Sequence, residues 1–127
     1  MLIMEGKRNR SEAKFEKSIV VKLQVEGLHA WPDCNIEEVG FLKNIHRHIF
    51  HITCKKEVSH NNRDIEIIRL KREIKTKLLF QFGHPDRVCN FKNMSCEDIA
   101  ELLIKDFKLN YCEVLEDNEN GAEIKKI

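Results

Sequence analysis

The sequence predicts an α+β domain with the element order β-β-α-α-β-β, in which the helices cover one face of the sheet. Two observations support this prediction. Apolar residues alternate with polar ones in two segments before residue 60 and again near the end, whereas between these regions they recur at helical spacing. A chain of 127 residues also has room for a single core, since domains typically contain about 100 to 150 residues. We therefore expect one domain over residues 18–127, preceded by a charged, flexible N-terminus over residues 1–17.

The first two strands are predicted from alternation. Residues 18–27 form the first strand, because the apolar side chains recur at every second position, at Ile19, Val21, Leu23 and Val25. The second strand covers residues 46–58 and places His46, His48, Phe50, Ile52 and Cys54 on one face. The segment between the strands contains Pro32 and Gly40, which predicts an irregular loop. Loops of this length in compact domains are often functional.

Two helices and two short strands complete the predicted order. An amphipathic helix is predicted over residues 63–81, because one face is marked at helical spacing by Ile65, Ile68, Lys71, Glu73, Ile74 and Leu78. A second helix is predicted over residues 96–108, because Ser95 and Asp98 form an N-terminal capping pattern. Residues 111–115 and 122–127 read as the last two strands, separated by a turn.

The composition restricts the classes of partner. The chain has 22 basic and 21 acidic residues, and this balance gives no global field for nucleic acid or an anionic membrane. No apolar run approaches the roughly 20 residues that span a bilayer, and the first residues lack a signal-peptide core, so we expect a cytoplasmic protein. The five cysteines include no C-x-x-C pair, which argues against a disulfide framework and against a four-cysteine zinc site.

The most informative motif is HRHIFHI, residues 46–52. The side chains of His46 and His48 lie on the same face of the predicted strand, so they can bind one metal ion together. Catalytic zinc takes three protein ligands, commonly imidazoles, and His29 can be the third because a hairpin would bring it beside the second strand. Alternatively, these histidines are exposed or satisfied by hydrogen bonds. His51 points to the opposite face, and His60 reads as a surface turn residue.

Several motifs in the same order give the chain a resemblance to a known family. Besides His29 and the H-x-H of His46 and His48, the motifs are DIEIIRLKREIKTKL at 64–78, SCEDIAELL at 95–103 and VLEDNENGAEI at 114–124. Together they resemble the 6-pyruvoyl-tetrahydropterin synthase and 6-carboxy-tetrahydropterin synthase family, over nearly the whole chain. The resemblance implies the tunnelling fold of that family, in which two helices back an antiparallel four-stranded sheet.

The resemblance also implies roles for individual residues. The three histidines would hold zinc, and Glu116 would bind the guanidine-like edge of a pterin ring. Ser95 and Glu97 fall on the motif whose residues line the family's pocket. The alternatives are that Glu116 is an exposed acid at a strand end and that the other two residues only cap a helix.

The catalytic elements of the family match less closely. The family uses a cysteine as general base shortly before the H-x-H, and here Cys34 lies twelve residues before His46. Cys34 is therefore either that base or a loop cysteine without a catalytic role. His84 stands where the family has its proton-transferring histidine, but Gly83 occupies the position of the orienting aspartate. We expect metal and ring binding to be retained better than proton transfer.

These expectations lead to three classes of function. The first is a zinc-dependent, pterin synthase-like lyase acting on dihydroneopterin triphosphate or a related pterin, in tetrahydrobiopterin or queuosine biosynthesis. The second is a non-catalytic module of the same fold that binds a pterin, purine or modified nucleotide. The third is a structural protein with an incidental histidine cluster. The resemblance further implies a homo-oligomer, a trimer or hexamer, and the composition suggests neither nucleic acid nor membrane as partner.

Overall fold

A computed structural model describes residues 15–83 and 86–127. The elements, in chain order, are strand β1 (Ser18–His29), a 3-10 helix (Glu37–Lys43), strand β2 (His46–Glu57), helix α1 (Ile67–Phe82), strand β3 (Cys89–Asn90), helix α2 (Cys96–Phe107), strand β4 (Tyr111–Glu116) and strand β5 (Asn120–Lys125). Of the helices in these two ranges, none has the length and apolar character needed to cross a membrane.

The five strands form one mixed sheet in the order β3-β1-β2-β4-β5. The prediction of an antiparallel four-stranded sheet with two helices, in the order β-β-α-α-β-β, is therefore wrong. Strand β3 adds a fifth, parallel strand beside Gly27 and Leu28, and the 3-10 helix adds a third helix. The physical reason is length, since a two-residue strand is too short to show alternation. The 3-10 helix buries none of its residues and so has no apolar periodicity.

Strands β1 and β2 form a long antiparallel hairpin that fixes the position of the later site. Their register runs from Ser18 opposite Glu57 to His29 opposite His46. The predicted alternation is confirmed, because the residues of both strands that face the helices are buried. These residues are Val21, Leu23, Val25, Phe50, Ile52 and Cys54.

Both α-helices pack on the same face of the sheet and enclose one core. Helix α1 buries Leu70, Ile74 and Leu78, at the four-residue spacing of one helix face. Ile68, which we expected on that face, is 56% exposed. Helix α2 begins with the predicted capping box, in which Ser95 and Asp98 bond each other's backbone N–H groups.

Part of the aromatic core packs against the end of β1 and the start of β2. The rings of Phe50 and Phe91 meet edge to face with their centroids 5.1 Å apart, and the ring of His29 lies 5.2 Å from that of Phe50. Gly27 makes this packing possible, because a Cβ atom there would lie 2.7 Å from the Phe91 ring and 2.9 Å from the Phe50 ring. The aromatic pair therefore provides a closely packed apolar surface next to the histidines.

Candidate metal centre

Three histidines meet where β1 ends and β2 begins. His29 is the last residue of β1 and pairs directly with His46, the first residue of β2, while His48 lies two residues further along the same face. One ligand atom of each imidazole lies within 4.8 Å of the other two. The predicted grouping is confirmed, and its geometry can hold a metal ion.

The Nδ1 atom of each of the three imidazoles is hydrogen-bonded to an oxygen. The acceptors are the carbonyl of Met94 for His29 at 2.9 Å, the carbonyl of Asn44 for His46 at 2.8 Å and the carboxylate of Asp117 for His48 at 2.7 Å. Because carbonyls and carboxylates only accept, each Nδ1 carries the proton and donates. This tautomer leaves all three Nε2 atoms with free lone pairs, which is the arrangement found in metal-binding histidines.

Two of these Nε2 atoms need a partner. The Nε2 atoms of His29 and His48 are shielded from solvent and have no hydrogen-bond partner within the described part of the chain. A buried polar atom without a partner costs about 1 to 3 kcal/mol. A cation bound by these nitrogens would remove that cost.

Asp117 holds His48 in place. Its carboxylate accepts from the Nδ1 of His48 and, through its second oxygen, from the backbone N–H of Ile49 at 2.9 Å. Its own N–H donates to the carbonyl of Ile49 at 2.8 Å. The hydrogen bonds from His48 and Ile49 hold the pKa of the Asp117 carboxyl below its usual value. Asp117 was not predicted as a site residue from the sequence, although its position directly after Glu116 could have indicated it.

The Glu116 carboxylate lies between two of the histidines. Its Oε2 atom is 3.0 Å from the Nε2 of His29, and its Oε1 atom is 3.4 Å from the Nε2 of His48. The thiol of Cys96 donates to the same Oε2 at 3.7 Å. Burial and the neighbouring Glu116 carboxylate raise the pKa of the Cys96 thiol to about 12, so this cysteine stays protonated.

A cavity of about 410 Å³ adjoins the histidines. Five predicted site residues line it, namely His29, His46, Ser95, Glu97 and Glu116. The other lining residues include Trp31, Asn93 and Cys96, which were not predicted as site residues from the sequence. The volume falls in the range of about 300 to 1,000 Å³ that is typical of small-molecule sites.

The expectation that Ser95 caps α2 also holds, because its hydroxyl accepts from the N–H of Asp98.

The predicted proton-transfer residues lie apart from this group or outside the described ranges. Cys34 is 2% exposed, and its Sγ atom faces the carbonyls of Ile36 and Val39 at 3.8 and 3.7 Å rather than the cavity. His84 lies outside the described residues. Gly83 ends α1 and lines a separate groove on the surface of that helix.

The other cysteines and histidines behave as the sequence indicated. All five cysteines are free and buried. His51 lines a groove on the opposite face of the sheet. His60 is exposed in a turn and lies 3.3 Å from Asp64.

The fold has a counterpart among solved structures. An uncharacterized protein from Wolinella succinogenes aligns with a TM-score of 0.56 at 12% identity, covering 89% of this chain and 99% of that chain. At this identity the likeness shows the fold alone. No family model matches the chain, and no curated protein matches it.

Proposed function

We propose that His29, His46 and His48 hold one zinc ion and that the adjoining cavity binds a pterin or a related ring. The observation that carries the proposal is that one ligand atom from each of the three imidazoles lies within 4.8 Å of the other two. The Nδ1 atoms all bond to oxygens, which leaves the Nε2 atoms to bind the ion. Imidazole nitrogens suit zinc, and three protein ligands beside a cavity are typical of zinc sites that take a substrate.

Glu116 supports the choice of a pterin-like ring. It lines the cavity, and its side chain is 30% exposed. One carboxylate can accept two parallel hydrogen bonds from the N–H and NH₂ groups of a 2-amino-4-oxopyrimidine edge. Trp31 adds aromatic surface to the same lining.

The enzymatic form of the proposal is a pterin synthase-like lyase acting on dihydroneopterin triphosphate or a related pterin. A bound zinc ion would supply Lewis-acid polarisation of the substrate's side-chain oxygens. In this form Cys34 and His84 move the protons. Assembly as a trimer or hexamer belongs to the same proposal, since β3 and β5 are edge strands and such edges favour pairing with a second chain.

A second candidate is a non-catalytic module that holds the same class of ring. The position of Cys34 favours it, because the thiol faces backbone carbonyls and the cavity lining does not include it. Gly83, at the position of the family's aspartate, favours it as well.

Two measurements on the zinc-loaded protein test these proposals. Calorimetry with neopterin should show binding in the parent protein, and heats no larger than those of dilution would overturn the ring-binding proposal. Turnover of dihydroneopterin triphosphate then separates the two candidates. Turnover that Cys34→Ala abolishes without loss of zinc establishes the enzyme, whereas binding without turnover establishes the binding module.

A further inference from the structure

The contacts of Glu116 with the two imidazoles lack the geometry of hydrogen-bonded ion pairs. Its oxygens lie 3.0 Å from the Nε2 of His29 and 3.4 Å from the Nε2 of His48, yet neither nitrogen has a hydrogen-bond partner within the described residues. A protonated imidazole at this distance would direct its N–H at the carboxylate oxygen, because hydrogen bonds prefer angles above about 150°. The observed geometry therefore does not provide the bond that would stabilise such a pair.

These contacts fit ligands that share one ion. In a tetrahedral zinc site with bonds of about 2.0 to 2.1 Å, neighbouring ligand atoms lie about 3.3 Å apart. Their lone pairs point at the common centre and not at one another. The two distances are close to this spacing, each from a different oxygen of Glu116, so either oxygen is placed to serve as a ligand. Both nitrogens present lone pairs because their Nδ1 atoms carry the protons.

We propose that Glu116 is a fourth metal ligand in the ligand-free protein, so that the resting centre is a closed site of three histidines and one glutamate. The inference rests on the metal-binding part of the proposed function. The Cys96 thiol, which donates to Oε2 of Glu116, supplies the outer hydrogen bond that ligating carboxylates commonly receive.

The Glu116 carboxylate also lines the cavity, so binding of a ring there affects the metal site. A ring that takes both oxygens of Glu116 as hydrogen-bond acceptors removes them from the metal. Ring binding then opens a coordination position beside the bound molecule. The coordination site is therefore complete when the cavity is empty, and it has an open position when a ring occupies the cavity.

Cobalt(II) tests this inference, because its visible bands report the number and type of its ligands. The probe is the full-length protein loaded with Co²⁺, compared with Glu116→Gln and with Glu113→Gln. Glu113 is a matched control, since it lies on the same strand and lines a groove on the opposite face of the sheet. Circular dichroism establishes that all three proteins are folded alike.

We expect Glu116→Gln to change the cobalt bands and to weaken metal binding by at least the roughly 10- to 100-fold that loss of an outer-shell partner costs. Glu113→Gln should match the parent in both readouts. If Glu116→Gln keeps the parent's bands and affinity, the fourth-ligand inference is overturned while the three-histidine site stands. If the parent binds no cobalt and no zinc, the metal site itself is wrong, and the inference fails with it.

Titration of the cobalt protein with neopterin tests the exchange of ligands. We expect the cobalt bands to change in step with ring binding measured by calorimetry. Ring binding that leaves the bands unchanged would overturn the exchange.

Discussion

Replacing Asp117 with asparagine should weaken metal binding without unfolding the protein. One carboxylate oxygen of Asp117 accepts from the Nδ1 of His48 and the other from the N–H of Ile49. Asparagine has a single acceptor oxygen, so one of these two bonds is lost and an NH₂ group faces a donor. Asparagine also tolerates the left-handed backbone of this position, where φ is 55°, so the turn itself should survive.

The loss of zinc affinity in Asp117→Asn should fall at the lower end of the range that is usual for outer-shell partners of metal ligands. Outer-shell partners of metal ligands commonly contribute 10- to 100-fold to affinity. The Asp117 side chain is 51% exposed, so water can replace part of the lost bond, and we expect a decrease of about 10-fold.

Competition with a chelator of known zinc affinity measures this change. Glu119→Gln is the control, because it removes a charge from the same turn and its side chain has no contact with the histidines among the described interactions. Equal zinc affinity in Asp117→Asn and the parent would refute the orienting role of Asp117. An equal loss in both variants would point to net charge instead.

Three further predictions concern the ring, the core and the thiols. Glu116→Gln should weaken neopterin binding by about 1.5 to 3 kcal/mol in calorimetry, because the amide lacks the charge and one acceptor; unchanged affinity would rule out ring recognition by this residue. Gly27→Ala should lower the free energy of unfolding by about 1 to 3 kcal/mol in urea titration, because its Cβ would overlap the aromatic rings. Gly40→Ala, which has open space, should change it little, and equal effects would contradict the packing argument. Burial raises the pKa of Cys89 to about 11, and burial together with a neighbouring carboxylate raises that of Cys96 to about 12, so alkylation at mildly alkaline pH should be slow until urea is added. Rapid labelling of either thiol in the folded protein would contradict these shifts.

The histidine group could be predicted because local rules determine it. Alternation along a strand places His46 and His48 on one side, and the hairpin places His29 opposite His46. The capping box of α2 follows a local pattern in the same way.

The contacts around the histidines depend on long-range pairing that the sequence pattern does not contain. Asp117 reaches His48 because β4 pairs with β2 in the register that places Glu116 opposite Phe50. Cys96 reaches Glu116 only when α2 packs over the end of that strand. The exposed face of α1 was misjudged at Ile68 because adjacent isoleucines fit more than one helical face.

The metal content of protein purified without chelator tests the central claim most directly. Native mass spectrometry reports the metal and the number of chains together, and elemental analysis identifies the ion. We predict one zinc ion per chain in the parent and loss of that zinc in the His46→Ala, His48→Ala double variant. A parent protein with almost no metal, or a double variant with its full zinc content, would contradict the proposed centre.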